Sequence, residues 1–568
     1  MNNSGWNMYV FRNGKQSVSG SEMTSSLTQA LLHWRSAPRE QSEDSVLAAL
    51  IAAGELECAL LDSAGDERRT HSCDVASEIT EALSLAFLTG KRDALATILQ
   101  KTKQLQVAKH YELAVQEGFA YYALHPRKIA MMLDTLPLTN SVAVLGIRSI
   151  GVTLSAVTLS ALRLLGIECR RITVRPTGHP YDRRLELTPK LRKWVEDAGD
   201  AGFLIVDEGP GISGSSFLAV AEALAACGVS DDCIQMIGSR DVDPGSLRAE
   251  NAVERWPRFK FHVMQSAPLP PLEAGESLSG GTWRRHFRCD GNSIPASWAP
   301  LEAAKFLARD ERSIFKFEGF GHYGQAASAR AESLAAQGFS LPYLGHSCGF
   351  GQFGLVPGRT LSLDDLSAET LERMADYLSF RATEFASNIP QTPEIEKMLR
   401  WNWQVEFGEE LGDAQSHLEA AQIVVCDGRM MPCKWLRADT GELLKLDACK
   451  HGNNHFFPGP CDIAWDVAGT IVEWELQGET RDYFIHQFET RSGFSVADRL
   501  APYLLAYVTF RLGWSKMAAL AMQGEFDESL LTRDYERYRA TAMRLRQEPA
   551  IIDTEEKSAT ANSSLRNV

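Results

Sequence analysis

The sequence predicts a multidomain α/β protein: a mostly helical N-terminal region, a parallel-sheet domain and an α+β domain of two lobes. Three observations lead there. At 568 residues the chain exceeds what one hydrophobic core organises, and a prior of roughly 150 residues per domain implies three or four domains. From residue 141 to 263, short β-branched runs alternate with helical patterns, as expected of parallel strands joined by helices. The stretch "SAPLPPLEAGESLSGG", rich in Pro, Gly and Ser, then marks a seam, beyond which short strands give way to helices. The expected units are a helical region over 1–110, a sheet domain over 111–270, a linker over 271–300, a second domain over 301–546 and a disordered polar tail over 547–568.

Each element follows from local pattern. "DSVLAALIAAGELECALLD" and "CDVASEITEALSLAFLTG" carry Leu, Ala and Ile at helical spacing and end at Asp or Gly. No chemistry is apparent in them. "SVAVLGI" reads as a strand, followed by a Gly-bounded turn and a long small-residue helix. "ECRRITVRP" and "AGFLIVDEG" read as further strands, with amphipathic "TPKLRKWVEDAG" between them. "SSFLAVAEALAACGV" is a helix, and "CIQMIGSR" and "FKFHVM" are the last strands of the unit. Past the seam come a strand "SIFKFEGFG", a helix "QAASARAESLAAQG", short strands around "YLGHSCGFGQFGLVPG", and mostly helices thereafter.

Composition narrows the function. A net charge of -15 excludes a general nucleic-acid or anionic-membrane binder, since both need a positive face. No stretch approaches the roughly 20 apolar residues of a membrane span, and "MNNSGWNMYVFRNGKQ" has no signal-like apolar run. Eleven cysteines without a C-x-x-C pair read as reduced thiols, so a cytoplasmic location is expected.

"FLIVDEGPGISGSSF" carries the first candidate site. Asp207 and Glu208 stand beyond an apolar strand, where ligands gather on open parallel sheets. Gly211, Ser213, Gly214, Ser215 and Ser216 then open a helix whose amides and dipole favour a phosphate. Adjacent carboxylates can accept hydrogen bonds from a ribose diol. This segment resembles the signature of type I phosphoribosyltransferases, with one extra residue between the acids and the Ser-Gly. "VAVLGIRSIGVTLSAVTLSAL" resembles that family's pyrophosphate loop, with Arg148, Ser149, Ile150 and Gly151 in the turn. "TVRPTGHPYDRRL" resembles its basic flap, with Arg175, His179, Arg183 and Arg184. The resemblance, over residues 110 to 265, implies phosphoribosyl pyrophosphate or another ribose 5-phosphate ligand, with Mg²⁺ carried on the substrate and the carboxylates orienting the ribose.

A second candidate lies beyond the seam. Lys316 sits on a strand and Glu332 on the next helix, a pairing that kinase folds use to hold ATP phosphates. "FGQFGLVPGRTLSLDDLSAETLERMADYLSF" and "GELLKLDACKHGNNHFFPGPCDIAWDVAG" resemble segments of aminoglycoside and choline phosphotransferases, over residues 300 to 545. The resemblance implies ATP binding, Asp447 as a Mg²⁺ ligand and Asp462 as an acid tying the catalytic loop. The catalytic loop departs from the family pattern: "VVCDGRMMPCKWL" has Arg429 at the base position and Lys434 at the metal-binding Asn position. Asp427 is the nearby acid that could replace the base. No Gly-rich loop precedes Lys316. His451 and His455 lack a third zinc ligand, and Trp283, Trp298, Trp401, Trp403, Trp465 and Trp474 read as packing residues.

The expectation is therefore Mg²⁺-dependent phosphoribosyl transfer or ribose 5-phosphate handling, joined to a kinase-like domain that acts on or senses a small molecule. Two alternatives stand beside it: a non-catalytic nucleotide-sensing regulator, and a small-molecule kinase with an inactive first half.

Overall fold

A computed structural model describes residues 8–9, 15–65, 68–264, 268–286, 294–450 and 459–547. The polar tail beyond 547 and the pair His451 and His455 lie outside the described residues.

Strand β1 (Lys15–Ser19) leads into helices α1 (Gly20–Ser36), α2 (Ser42–Ala64), α3 (His71–Thr89) and α4 (Leu95–Thr102), and pairs with β2 (His110–Ala114). Short helices α5 (Glu117–Ala120) and α6 (Arg127–Leu133) follow. The next unit runs β3 (Ser141–Ile147), α7 (Ile150–Leu164), β4 (Glu168–Val174), the hairpin β5 (Thr177–His179) and β6 (Asp182–Arg184), then α8 (Pro189–Glu196) and β7 (Gly202–Val206). It closes with α9 (Ser215–Ala226), β8 (Ile234–Gly238), α10 (Ala252–Arg255) and β9 (Lys260–Val263). Five strands form one sheet in the order β4-β3-β7-β8-β9, and every neighbouring pair is parallel.

Burial on both faces explains why these strands read as unbroken apolar runs. Side chains alternate across the pleat. Val142, Val144, Leu204 and Val206 join one core, whereas Ala143, Leu145, Phe203 and Ile205 join another under α8 and α9. The first core also holds the N-terminal helices, so the boundary expected at 110 separates no core. Every residue of α2 from Ser45 to Leu61 is buried. At its closest approach to α7, a Cβ on Gly54 would stand 2.0 Å from the Thr153 hydroxyl oxygen.

The expected linker is likewise corrected. Residues 271–300 contain β10 (Ala274–Ser277), the edge of a second sheet. That sheet is built with β11 (Lys305–Ala308), β12 (Ser313–Phe317), β13 (Tyr343–Ser347) and β14 (Phe350–Gly354), in the order β10-β11-β12-β14-β13 and antiparallel throughout. Helix α11 (His322–Ala336) connects β12 to β13, and Phe315, Phe317 and Phe350 enter the core shared with α2. A second lobe follows, with a three-stranded sheet of β15 (Gly358–Thr360), β17 (Trp435–Ala438) and β18 (Leu443–Lys445), and a ribbon of β16 (Ile423–Val424) and β19 (Cys461–Asp462). Its helices are α12 (Ala368–Glu384), α13 (Glu394–Phe407), α14 (Asp413–Ser416), α15 (Ala464–Glu473), α16 (Gly478–Ser492), α17 (Leu500–Ala521) and α18 (Phe526–Gln547). Among the described residues no helix is long and apolar enough to cross a membrane.

Candidate functional site

The parallel sheet runs 2-1-3-4-5 in order of strand appearance, so the chain reverses direction across the sheet between β3 and β7. In such sheets the crevice beyond the carboxyl ends of those two strands is the natural ligand site. Both sequence-derived loops lie there. After β3 the backbone turns sharply at Ser149, with φ of 124°, before α7 begins at Ile150. A Cβ on Gly151 would approach the Val206 carbonyl oxygen to 2.7 Å and lie 3.6 Å from Asp207 Oδ1. Glycine thus lets the first loop press against the end of β7.

Asp207 and Glu208 stand half-buried at that end. Asp207 Oδ1 accepts the Glu208 amide hydrogen at 2.8 Å, and Glu208 Oε2 accepts that of Gly118 at 2.9 Å. Desolvation pushes the Asp207 carboxyl up to about 7, against the opposing pull of Arg175. Desolvation, with Glu117 and Asp207 beside it, pushes Glu208 up to about 8.

The serine loop completes the crevice. Helix α9 starts at Ser215, with Gly214 as its left-handed cap at φ of 71°, so Ser213 and Gly214 lead into the helix rather than belonging to it. Ser213 Oγ lies 2.9 Å from Ser215 Oγ and accepts the Ser215 amide at 3.2 Å, while Ser216 is in the first turn. Gly211, at φ of 60°, offers its carbonyl to Arg240 at 2.6 Å. The residues expected in the flap form the β5–β6 hairpin, which folds onto this loop: the Ser215 hydroxyl donates to the Pro180 carbonyl at 2.7 Å. Arg183 is half-buried on β6, and Arg184 pairs with Asp182 at 3.1 Å.

The arginines of the first loop differ from expectation. Arg148 is buried, and its guanidinium turns to Thr173 and to Asp62 Oδ1, 3.3 Å away. Arg175 binds the same carboxylate at 3.1 Å and donates to the Arg148 carbonyl at 2.6 Å. Arg148 is therefore a brace for the loop, and Arg175 remains at the crevice rim. The N-terminal helices, which showed no chemistry in sequence, supply Asp62.

The second candidate is the cleft between the two lobes. Lys316 Nζ lies 3.2 Å from Glu318 Oε1 and 3.3 Å from Asp447 Oδ1. Its expected partner Glu332 is exposed on α11. The start of α11 is held by the first half of the chain: Phe320 donates its amide to the Phe119 carbonyl at 3.0 Å, and the Tyr323 hydroxyl accepts the Gln116 amide at 3.1 Å. Asp447, at φ of 57°, also receives Lys434 Nζ at 2.5 Å on Oδ2. A Mg²⁺ ion does not fit there, because two ammonium groups outweigh the carboxylate's single charge and Lys434 has no lone pair to offer.

Asp427 does not supply the missing base. It is fully buried, with Oδ2 accepting from Tyr377 and lying 3.1 Å from Lys445 Nζ, and Oδ1 accepting the Arg429 amide at 3.0 Å. The loop is tied by Asp466, which accepts the amides of Asp427 and Gly428, both at 2.8 Å. Asp462 instead braces Ala421 and Gln422, at 2.7 and 2.8 Å. Arg429 lies over the Trp514 ring at 5.0 Å, and desolvation with nearby Arg511 pulls its pKa down to about 10.

The β10–β11 connection spans the two lobes. Its described parts reach the far lobe: Arg284 pairs with Asp527 at 2.6 Å, and the Ser297 amide donates to the same carboxylate at 2.8 Å. Trp298 meets Trp514 edge-on at 5.6 Å, and Trp283 donates to Glu302 at 2.8 Å. Both line the cleft, whereas Trp403, Trp465 and Trp474 are buried packing residues, as expected, and Trp401 is exposed. The cleft encloses about 250 Å³. Tyr121 and Tyr122 line it too, so the segment whose Gly118 meets Glu208 also forms part of this second wall.

The sequence matches no family model and no curated protein. Solved structures do show similarity. Choline kinase LicA from Streptococcus pneumoniae is 14% identical with a TM-score of 0.31, covering 48% of this chain and 95% of that one. LicA in complex with AMP is 15% identical at 0.32, covering 46% and 91%. The macrolide 2'-phosphotransferase MphH from Brachybacterium faecium is 14% identical at 0.28, covering 47% and 97%.

Proposed function

We propose that the crevice at the ends of β3 and β7 binds a ribose 5-phosphate ligand and performs phosphoribosyl transfer, with phosphoribosyl pyrophosphate as the donor. The observation that carries this reading is the packing of Gly151 against Val206 and Asp207, which joins an acidic pair and two small-residue loops in one crevice. In this reading the serine loop and the start of α9 take the 5-phosphate, while Asp207 and Glu208 accept hydrogen bonds from the ribose hydroxyls. Arg175 faces the leaving pyrophosphate from the rim, and the hairpin folded onto Ser215 restricts water at the ribose. Two adjacent carboxylates at the ribose position fit a donor that arrives as its Mg²⁺ complex, the ion neutralising pyrophosphate charge as it departs. Among the described residues no group of three or more His, Cys, Asp and Glu side chains could hold a metal by itself.

Calorimetric titration of the full chain with phosphoribosyl pyrophosphate and Mg²⁺ tests the proposal. Binding is expected, and Asp207→Asn and Glu208→Gln should each weaken it by about 1.5–3 kcal/mol, as for hydrogen bonds to charged groups. Absence of binding, or affinity unchanged in both variants with their stability intact, would end this reading.

A further inference from the structure

The cleft between the lobes has the wrong charge for a metal-dependent phosphotransfer centre, and that departure identifies what it can bind. A centre of that kind presents carboxylates to Mg²⁺ and a carboxylate base to the acceptor. Here Lys305, Lys316, Lys434, Lys445, Lys450 and Arg429 line the cavity together with the acids Glu302 and Asp447, Lys445 being paired with Asp427 and Lys450 donating to the Ala120 and Glu318 carbonyls. The remaining nearby acids are turned elsewhere: Asp427 is buried on Lys445, and Glu318 lies on Lys316. Mg²⁺ needs oxygen ligands near 2.0–2.1 Å. Two ammonium groups, Lys434 at 2.5 Å and Lys316 at 3.3 Å, already outweigh the single negative charge of Asp447 and would repel a divalent cation beside it.

We infer that this cleft binds a nucleotide di- or triphosphate without a divalent metal, Lys434 and Lys316 supplying the positive charge that the ion would otherwise bring. Ammonium groups suit phosphate oxygens as mobile point charges. The same cavity has an aromatic and apolar side, with Trp283, Trp298 and Phe353 in its wall, which suits the flat body of a base. Arg429 has no proton-accepting capacity at neutral pH, so the bound nucleotide is held rather than spent. The site is separate from the ribose 5-phosphate crevice, and its test does not depend on that one.

Equilibrium dialysis of the full chain against ATP, ADP and inorganic tripolyphosphate, in EDTA and in excess Mg²⁺, decides the matter. ATP or ADP should bind in EDTA, with Mg²⁺ leaving the affinity unchanged or lowering it. Lys434→Ala should weaken binding about tenfold or more, whereas Lys193→Ala, an exposed change on α8, should leave it unchanged. A second variant, Lys434→Asn, tests the charge directly: it should lower affinity in EDTA and recover it when Mg²⁺ is added. Thermal unfolding checks that both variants fold. Binding only with Mg²⁺, turnover of ATP, tripolyphosphate binding without nucleotide binding, or no binding of any probe would each overturn the inference.

Discussion

Glu208 accepts the backbone amide hydrogen of Gly118 at 2.9 Å, which fixes the acidic pair to a segment that also walls the second cleft. Gln116 donates to the Ser149 carbonyl at 3.4 Å, and Lys450 donates to the carbonyl of Ala120. The segment from Gln116 to Tyr122 therefore touches the first crevice at one end and lines the second cleft at the other.

Ligands at the two sites should alter each other's affinity, by an equal factor in both directions, because linkage is reciprocal. Typical coupling is about 1–3 kcal/mol. Titrating ATP with and without phosphoribosyl pyrophosphate, and the reverse, measures it. Gly118→Pro removes the amide donor and should abolish the coupling; strictly independent binding in the parent chain would show that the segment transmits nothing.

The acidic pair makes a pH prediction. Both carboxyls titrate higher in the folded state than in the unfolded chain, Asp207 about 7 against 3.8 and Glu208 about 8 against 4.5. The folded state thus holds more protons between those limits, and their contribution to stability falls as pH rises from about 4 to 8. Asp207→Asn and Glu208→Gln should accordingly raise Tm at pH 8 more than at pH 5. A Tm difference independent of pH would refute the assignment. Ligand binding that favours the charged carboxylates should release protons near neutrality, seen as a dependence of calorimetric heat on buffer ionisation enthalpy.

Asp62 shares its carboxylate between Arg148 and Arg175. Asp62→Asn should free positive charge at the crevice rim and tighten pyrophosphate binding about tenfold, equivalent to about 1.4 kcal/mol. The same change leaves buried Arg148 without its counter-charge, so Tm should fall. Pyrophosphate titration and a melting curve on one sample check both signs.

Gly54→Ala places a methyl against Thr153, where the helices leave no room. Overpacking of this kind costs about 1–3 kcal/mol. Denaturant unfolding should show the loss, and Gly65→Ala offers a contrast because no atom lies within 4 Å of its Cβ position, though its φ of 72° carries its own strain.

The parallel strands were legible because burial on both faces leaves continuous apolar runs, and the acidic pair stood out at the end of one. Arg429 and Lys434 were legible by their departure from a resembling pattern. Other features depend on distances in space that sequence spacing does not record. Asp62 meets Arg148 across 86 positions. A common strand-to-helix interval points to Glu332, whereas Glu318 reaches Lys316 from just beyond the same strand. The Pro- and Gly-rich stretch read as a linker because those residues usually interrupt structure, yet an edge strand tolerates such neighbours. Nothing in "EGFAYYALHP" signalled that both sites would meet there.

Helix α2 packs into a core that takes side chains from the N-terminal helices, from β3 and β7, and from β12 and β14. Cutting the chain at the Pro-rich seam would bare Phe315, Phe317 and Phe350 on one fragment and their partners on the other. The fragments should aggregate when made separately and recover only when co-expressed. In the intact chain, the amides at the middle of α2 should exchange with deuterium only through global unfolding, at the same free energy as amides in β3 and β12. The parallel sheet and the β10–β14 sheet should therefore unfold together, so a single destabilising change in α2 would be felt at both candidate sites.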